Sequence, residues 1–117
     1  MTGMKSRLQP RLRFPEDADR AFGPGKAELI RLIGVTGSIR AAAARMTMSY
    51  NRAWTLVRDM NRLFRDPLVV SVRGGDAGGG ARLTPVGREV LARYSRMERS
   101  CRLATRTEWR ALRRLLR

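Results

Sequence analysis

Two serines set the tightest limit on what this chain can fold into. Ser38 opens the run SIRAAAARM, and Ser49 opens SYNRAWTLVRDMNRLF. A serine just before a helical pattern accepts a hydrogen bond from a backbone N–H of the first turn, so each predicts a helix start. The first run is short and rich in alanine (Ala41, Ala42, Ala43, Ala44), so its backbone can lie close to a neighbour. Thr47 and Met48 leave room only for a tight turn. In the second run Ala53, Trp54, Val57, Met60, Asn61 and Phe64 recur at i, i+3/4 spacing, which predicts one buried side with Trp54 as a core anchor. Pro67 stops this helix, because the residue before a proline is pushed out of the helical region. A short helix, a turn and a capped second helix make a helix-turn-helix.

The flanking segments extend this unit. Leu29, Ile30 and Ile33 predict a helix from Lys26 to Val35, ended by Gly37. Leu68 to Val72 is β-branched and strand-like. A glycine-rich stretch follows, then Ala81-Arg82-Leu83 as a return strand. Thr84 caps a last helix with Pro85 at its first position. At the N-terminus, Pro10 to Phe14 alternates as a short strand, Glu16 to Asp19 reads as a turn, and Arg20 to Phe22 as a second strand. The expected fold is mainly α with a small β-hairpin wing, a winged helix-turn-helix followed by a long C-terminal dimerisation helix. It divides into an arm (1–22), the winged unit (23–84) and the helix with an Arg-rich tail (85–117). In that last segment Val90, Tyr94, Met97 and Cys101 share a face at helical spacing, with Leu91 beside them, and Arg99, Arg102, Arg106, Arg110, Arg113 and Arg117 take the opposite face. Glu108 interrupts the apolar stripe, so the pattern allows either one long helix or a break near Cys101–Thr107.

The glycine stretch, SVRGGDAGGGARLTP, admits several uses. A phosphate-cradling P-loop needs G-x-x-x-x-G-K-[ST], and neither that motif nor G-x-G-x-x-G occurs here. As a hairpin tip, Gly74, Gly75, Gly78, Gly79 and Gly80 would approach a backbone or a minor groove without steric cost, flanked by Arg73 and Arg82. A plain surface loop is the alternative.

Charge narrows the partner. The 117 residues carry 25 Lys and Arg against 10 Asp and Glu, a net +15. A GC-rich genome accounts for Arg over Lys but not for that excess, which points to a polyanion. Residues 23–66 and 83–117 hold most of it, at +5 and +7. Histidine is absent and Cys101 is the single cysteine. With no carboxylate pair in an evident cleft, the composition argues against an enzyme, a metal or another cofactor. No apolar run reaches the ~18 residues of a membrane span, and the first twenty residues lack a signal-peptide core, so a cytoplasmic protein is expected. A membrane-surface role for the basic last helix is a weaker option, since its apolar face suits a dimer better.

The second helix of a helix-turn-helix offers its first turns to the major groove. Ser49, Tyr50, Asn51, Arg52 and Thr55 are therefore the expected base contacts, Arg52 suiting guanine and Asn51 adenine. Tyr50 could equally pack inward. Lys26, Ser38, Arg40, Arg45 and Arg58 join the wing as expected backbone contacts. Double-stranded DNA is the expected partner, and a nonspecific nucleoid-type or RNA-binding protein the alternative.

The segments GSIRAAAARMTMSYNRAW, VRDMNRLF, SVRGGDAGGGARLTP and GREVLARY resemble the N-terminal DNA-binding domain of the ModE family of molybdate-responsive regulators, over roughly residues 10–100. The alanine run is shared with LysR-type winged helices. Ser49-Tyr50 with Ala53-Trp54, Asn61 and the glycine wing is more specific. The resemblance implies a homodimer on an inverted-repeat operator, with the helix after the wing (Val90, Leu91, Tyr94, Met97, Cys101) building the dimer. These residues leave no length for the molybdate-binding domains of ModE, so the resemblance supports DNA binding and leaves molybdate sensing unsupported, with a separate sensor protein as a possible partner.

Overall fold

The computed structural model describes residues 8–14, 17–73 and 80–117. Strands β1 (Leu12–Phe14) and β2 (Asp17–Phe22) precede helices α1 (Pro24–Thr36), α2 (Ile39–Arg45) and α3 (Tyr50–Leu63). Strands β3 (Val69–Val72) and β4 (Gly80–Leu83) follow, then helices α4 (Pro85–Ala104) and α5 (Arg106–Arg113). The strands form two separate antiparallel pairs, β1 with β2 and β3 with β4. This is the winged helix-turn-helix architecture, mainly helical with a β3–β4 wing.

The local signals act as their chemistry requires. Gly37 ends α1 at φ 72°, a left-handed conformation that glycine adopts without a Cβ penalty. Thr84 Oγ1 accepts from Gly87 N at 2.9 Å, with Pro85 just inside the helix. The register of the wing pairs Val69 with Leu83, Val70 with Arg82 and Ser71 with Ala81.

The core sits where α1 crosses the helix-turn-helix and the base of the wing. Leu29, Ile30 and Ile33 of α1 are fully buried there, with Ala42 of α2, Ala53 and Met60 of α3, and Leu68 before β3. The N-terminal hairpin contributes Phe22, whose ring lies edge-on to Phe64 at 5.7 Å and to Tyr94 at 5.3 Å. Such edge-to-face aromatic contacts favour the packing beyond the area they bury. One ring thus ties the arm to α3 and α4.

Three expectations change. Of the turn expected at Glu16–Asp19, Asp17 to Asp19 belong to β2 instead, and Glu16 lies outside the described residues. A register irregularity between Arg13 and Phe14 lets the six-residue strand run past its three-residue partner. Trp54 is not a core anchor and stays 47% exposed. The core side of α3 is Ala53, Val57 and Met60 at i, i+4, i+7, and Trp54 lies just off it. Of the two readings of the last segment, the break holds. The Thr105 hydroxyl donates to the Cys101 carbonyl one turn back, a bond that bends helices, and Thr105 leaves helical geometry at φ −103°, ψ 7°.

Candidate nucleic-acid interface

The turn between α2 and α3 is built from short bonds. Ser38 Oγ accepts from Ala41 N at 3.0 Å, and Ser49 Oγ accepts from Arg52 N at 3.1 Å. Between the helices Met48 N donates to Ala43 O at 3.0 Å and Thr47 N to Ala44 O at 3.1 Å. Thr47 itself sits at φ 52°, a strained conformation for a β-branched residue. Ala42, Ala43 and Ala53 are buried. Their small side chains let α2 and α3 close on the core, and the turn fixes how far the start of α3 projects.

That start is open to solvent. Ser49, Asn51 and Arg52 are exposed, Tyr50 is 37% exposed, and Thr55 is half-buried. The Arg40 guanidinium lies over the Tyr50 ring, 4.5 Å from its centroid, so α2 and α3 share a cation–π contact at the surface. One turn on, Arg58 lies 5.5 Å from the Trp54 ring and 3.4 Å from the Asp59 carboxylate. The two aromatic–arginine pairs therefore line the outward side of the helix-turn-helix.

The wing is anchored beside them. Ala81 N donates to Gly37 O at 3.0 Å, joining β4 to the turn after α1. A Cβ on Gly80 would come within 2.9 Å of that same carbonyl, so glycine is required for this approach. Asn61 secures the other strand. Its Oδ1 accepts from Leu68 N at 2.8 Å and Val69 N at 3.2 Å, while its Nδ2 donates to Val69 O at 3.0 Å. This amide fixes the base of the wing to the last turn of α3. Between the wing base and the two helices lies a cleft of about 390 Å³ bordered by Ser38, Arg40, Tyr50, Trp54, Ser71 and Gly80.

The structure brings Ser38, Arg40, Tyr50 and Gly80 together at this cleft, and Asn51, Arg52 and Thr55 together on α3. Ser38 and Ser49 use an oxygen lone pair in capping. Arg73 and Arg82 are exposed at the wing, and Arg45 is exposed at the end of α2. Gly74, Gly75, Gly78 and Gly79 lie outside the described residues. Lys26 is half-buried against β2, where its ammonium donates to Ala21 O at 2.7 Å. Tyr94 is a correction. It is 3% exposed, packs on Phe22 and donates its hydroxyl to Pro10 O, so it faces its own core and not a dimer surface. Desolvation, with the Glu98 carboxylate nearby, pushes its phenol up to about 12. Val90 and Leu91 pack partly against the core. Met97 is 38% exposed and the Cys101 thiol is free and half-buried.

Two residues acquire roles that periodicity did not suggest. Trp54 becomes surface, and Asn61 becomes the wing's anchor. Its place on the apolar side of α3 was the one available signal, since a buried amide needs partners. Among the described residues no group of three or more His, Cys, Asp or Glu could hold a metal ion, and no helix is long and apolar enough to cross a membrane.

No family model matches the chain. The molybdenum-pterin-binding protein MopB of Rhodobacter capsulatus is 46% identical over 77 residues, covering 66% of this chain and 28% of MopB. The molybdenum transport protein ModE of Azotobacter vinelandii is 38% identical over 93 residues, or 80% of this chain and 34% of that protein. The DNA-binding transcriptional dual regulator ModE of Escherichia coli K12 is 37% identical over 71 residues, 61% of this chain and 27% of its own length. The chain thus spans about a third or less of these relatives, and it matches the N-terminal region of the ModE, MopA and MopB proteins.

Proposed function

We propose that this chain is the DNA-reading part of a ModE-like transcriptional regulator. The observation that carries the reading is the joint surface of α3 and the wing. The first turn of α3 projects into solvent, the wing is locked to the last turn of the same helix by Asn61, and arginines stand on both. In this reading α3 enters the major groove with Ser49, Tyr50, Asn51, Arg52 and Thr55 toward base edges. Trp54, exposed one turn on, joins them. Arg40, Arg45, Arg58, Arg73 and Arg82 meet phosphates, and the glycine tip (Gly74, Gly75, Gly78, Gly79, Gly80) follows the backbone or minor groove. Phosphate contacts supply most of the affinity, and base contacts the sequence preference.

Two copies of the chain pair along α4 in this reading, through Met97 and Cys101 with the outer edges of Val90 and Leu91. Their recognition helices then meet half-sites about one helical turn, ~34 Å, apart. The names of the relatives make molybdenum metabolism the context. Any response to molybdate belongs to sequence outside these 117 residues, on a longer chain or a separate sensor protein. The strong net charge favours a second reading, a nonspecific DNA- or RNA-binding protein. Pull-down of genomic fragments at physiological salt, followed by sequencing, separates the two. One enriched inverted-repeat motif supports the regulator; uniform recovery of fragments rules it out.

A further inference from the structure

The corner between α4 and α5 carries a second basic site, away from α3 and the wing. A cleft of about 620 Å³ opens there beside Leu8 and Trp109, and five arginines line it: Arg102, Arg106, Arg110, Arg113 and Arg114. None of the five guanidinium groups forms an ion pair or hydrogen bond with a described residue. The four salt bridges among the described residues all lie elsewhere. Five unneutralised guanidiniums repel one another around one cavity, which lowers the stability of the bare chain. An anionic occupant relieves that repulsion.

The spacing tells which kind of anion fits. Arg106, Arg110 and Arg113 recur at intervals of three or four residues along α5, with Arg114 just past its end and Arg102 on α4 before the break. At 1.5 Å rise per residue, a four-residue step is about 6 Å along a helix. Phosphates on one DNA strand rise about 3.4 Å each along the axis, and the winding of the strand sets consecutive ones about 7 Å apart. A row of guanidiniums with this repeat suits a phosphodiester backbone better than an isolated oxyanion, which could engage only one or two of them. The arginines also surround a cavity, whereas a helix lying on a membrane keeps its cations at the edges of a flat apolar face.

We propose that this corner is a second phosphate-backbone site, which grips duplex DNA outside the segment read by α3 and the wing. α4 has 20 residues, about 30 Å of helix, and starts directly after the wing strand. It therefore carries the second site about 30 Å from the base of the wing. The proposal rests on the DNA-binding reading above.

The test uses the full chain with 16-bp and 40-bp random-sequence duplexes, titrated from 50 to 300 mM NaCl. R106Q/R110Q/R113Q removes three charges, and R106K/R110K/R113K keeps them. For the 40-bp duplex, the Gln variant is expected to flatten the slope of log K against log [NaCl] by about 2–3, at roughly 0.9 per lost contact. The Lys variant keeps the slope, and the 16-bp duplex shows little difference among the three proteins. All three side chains are exposed, so circular dichroism and the unfolding midpoint should match wild type. An unchanged slope on the 40-bp duplex, with wild type binding well, overturns the second site alone. Absence of binding by wild type to either duplex overturns the DNA-binding reading and this site with it. Loss of binding to phosphatidylserine vesicles by the Gln variant, with its DNA slope intact, overturns the proposal in favour of a membrane surface.

Discussion

α3 and α5 are written in similar terms and end in different places. Each carries a tryptophan with an arginine four residues on, Trp54–Arg58 and Trp109–Arg113, and each alternates apolar and basic sides. α3 buries Ala53, Val57 and Met60 against the rest of the chain, whereas α5 buries nothing, and Leu112 and Leu116 remain more than half exposed. Helical periodicity shows that a helix has two sides. It does not show whether the apolar side finds its partner within the same chain. α3 is flanked by elements that return to it, a capped α2 on one side and the wing on the other. α5 follows a break and packs chiefly on α4 among the described residues.

The comparison is most easily broken at the joint that makes α3's surroundings rigid. A Cβ on Gly87, in the first turn of α4, would lie 2.2 Å from the Leu68 carbonyl oxygen and 3.3 Å from Leu68 Cα. Backbone cannot swing away as a side chain can, so Gly87→Ala is expected to cost about 3 kcal/mol in urea unfolding, the upper end for overpacking. A cost below about 1 kcal/mol would show that α4 is not held tightly to the wing. Asn61→Ala comes next. It strands the amides of Leu68 and Val69 and the Val69 carbonyl, a loss of about 2–3 kcal/mol. Faster hydrogen exchange at those amides should accompany it, and unchanged exchange would deny the anchoring role.

Tyr94 joins the two regions and yields a smaller, pH-dependent effect. Its phenol is raised to about 12 in the folded chain, above its ordinary value of 10.0. The unfolded chain loses this proton first, so stability should fall as pH rises from about 10 to about 12. Tyr94→Phe should cost roughly 1 kcal/mol at neutral pH through the lost bond to Pro10 O and should flatten that alkaline decline. An equally steep decline in the variant would place its origin elsewhere. The smallest effect belongs to α5: Leu112→Ala should change stability by less than about 0.5 kcal/mol, because the side chain is already exposed. A loss that grows with protein concentration would show that a second copy covers this face.

Much of the scaffold was legible because its causes are local. Ser38, Ser49 and Thr84 cap helices with their own side chains, Gly37 permits a left-handed stop, and β-branched residues mark β3. What escaped has causes across the chain. Trp54 neighbours the core side of α3 in sequence, and only the position of the wing decides that it stays outside. Tyr94 shares a face with Met97, yet the N-terminal hairpin brings Phe22 and Pro10 to cover it. Lys26 reads as free until Ala21 O is found beside it. The candidate site was legible as a face, through the exposed first turn of α3 and the arginines of the wing. Its anchoring was not, since no spacing rule links Asn61 to Leu68 and Val69.

The central claim is that α3, held against the wing, reads sequence. The most direct measurement is competition at physiological salt between a genomically enriched duplex and the same duplex with one half-site scrambled, for wild type and Arg52→Ala. Wild type is expected to prefer the intact site by about 10³-fold or more over random sequence. Arg52→Ala should lose about 1–3 kcal/mol of discrimination at one base position. A wild-type preference near unity, or an Arg52→Ala loss equal on all sequences, would contradict sequence reading by α3 and leave a backbone binder.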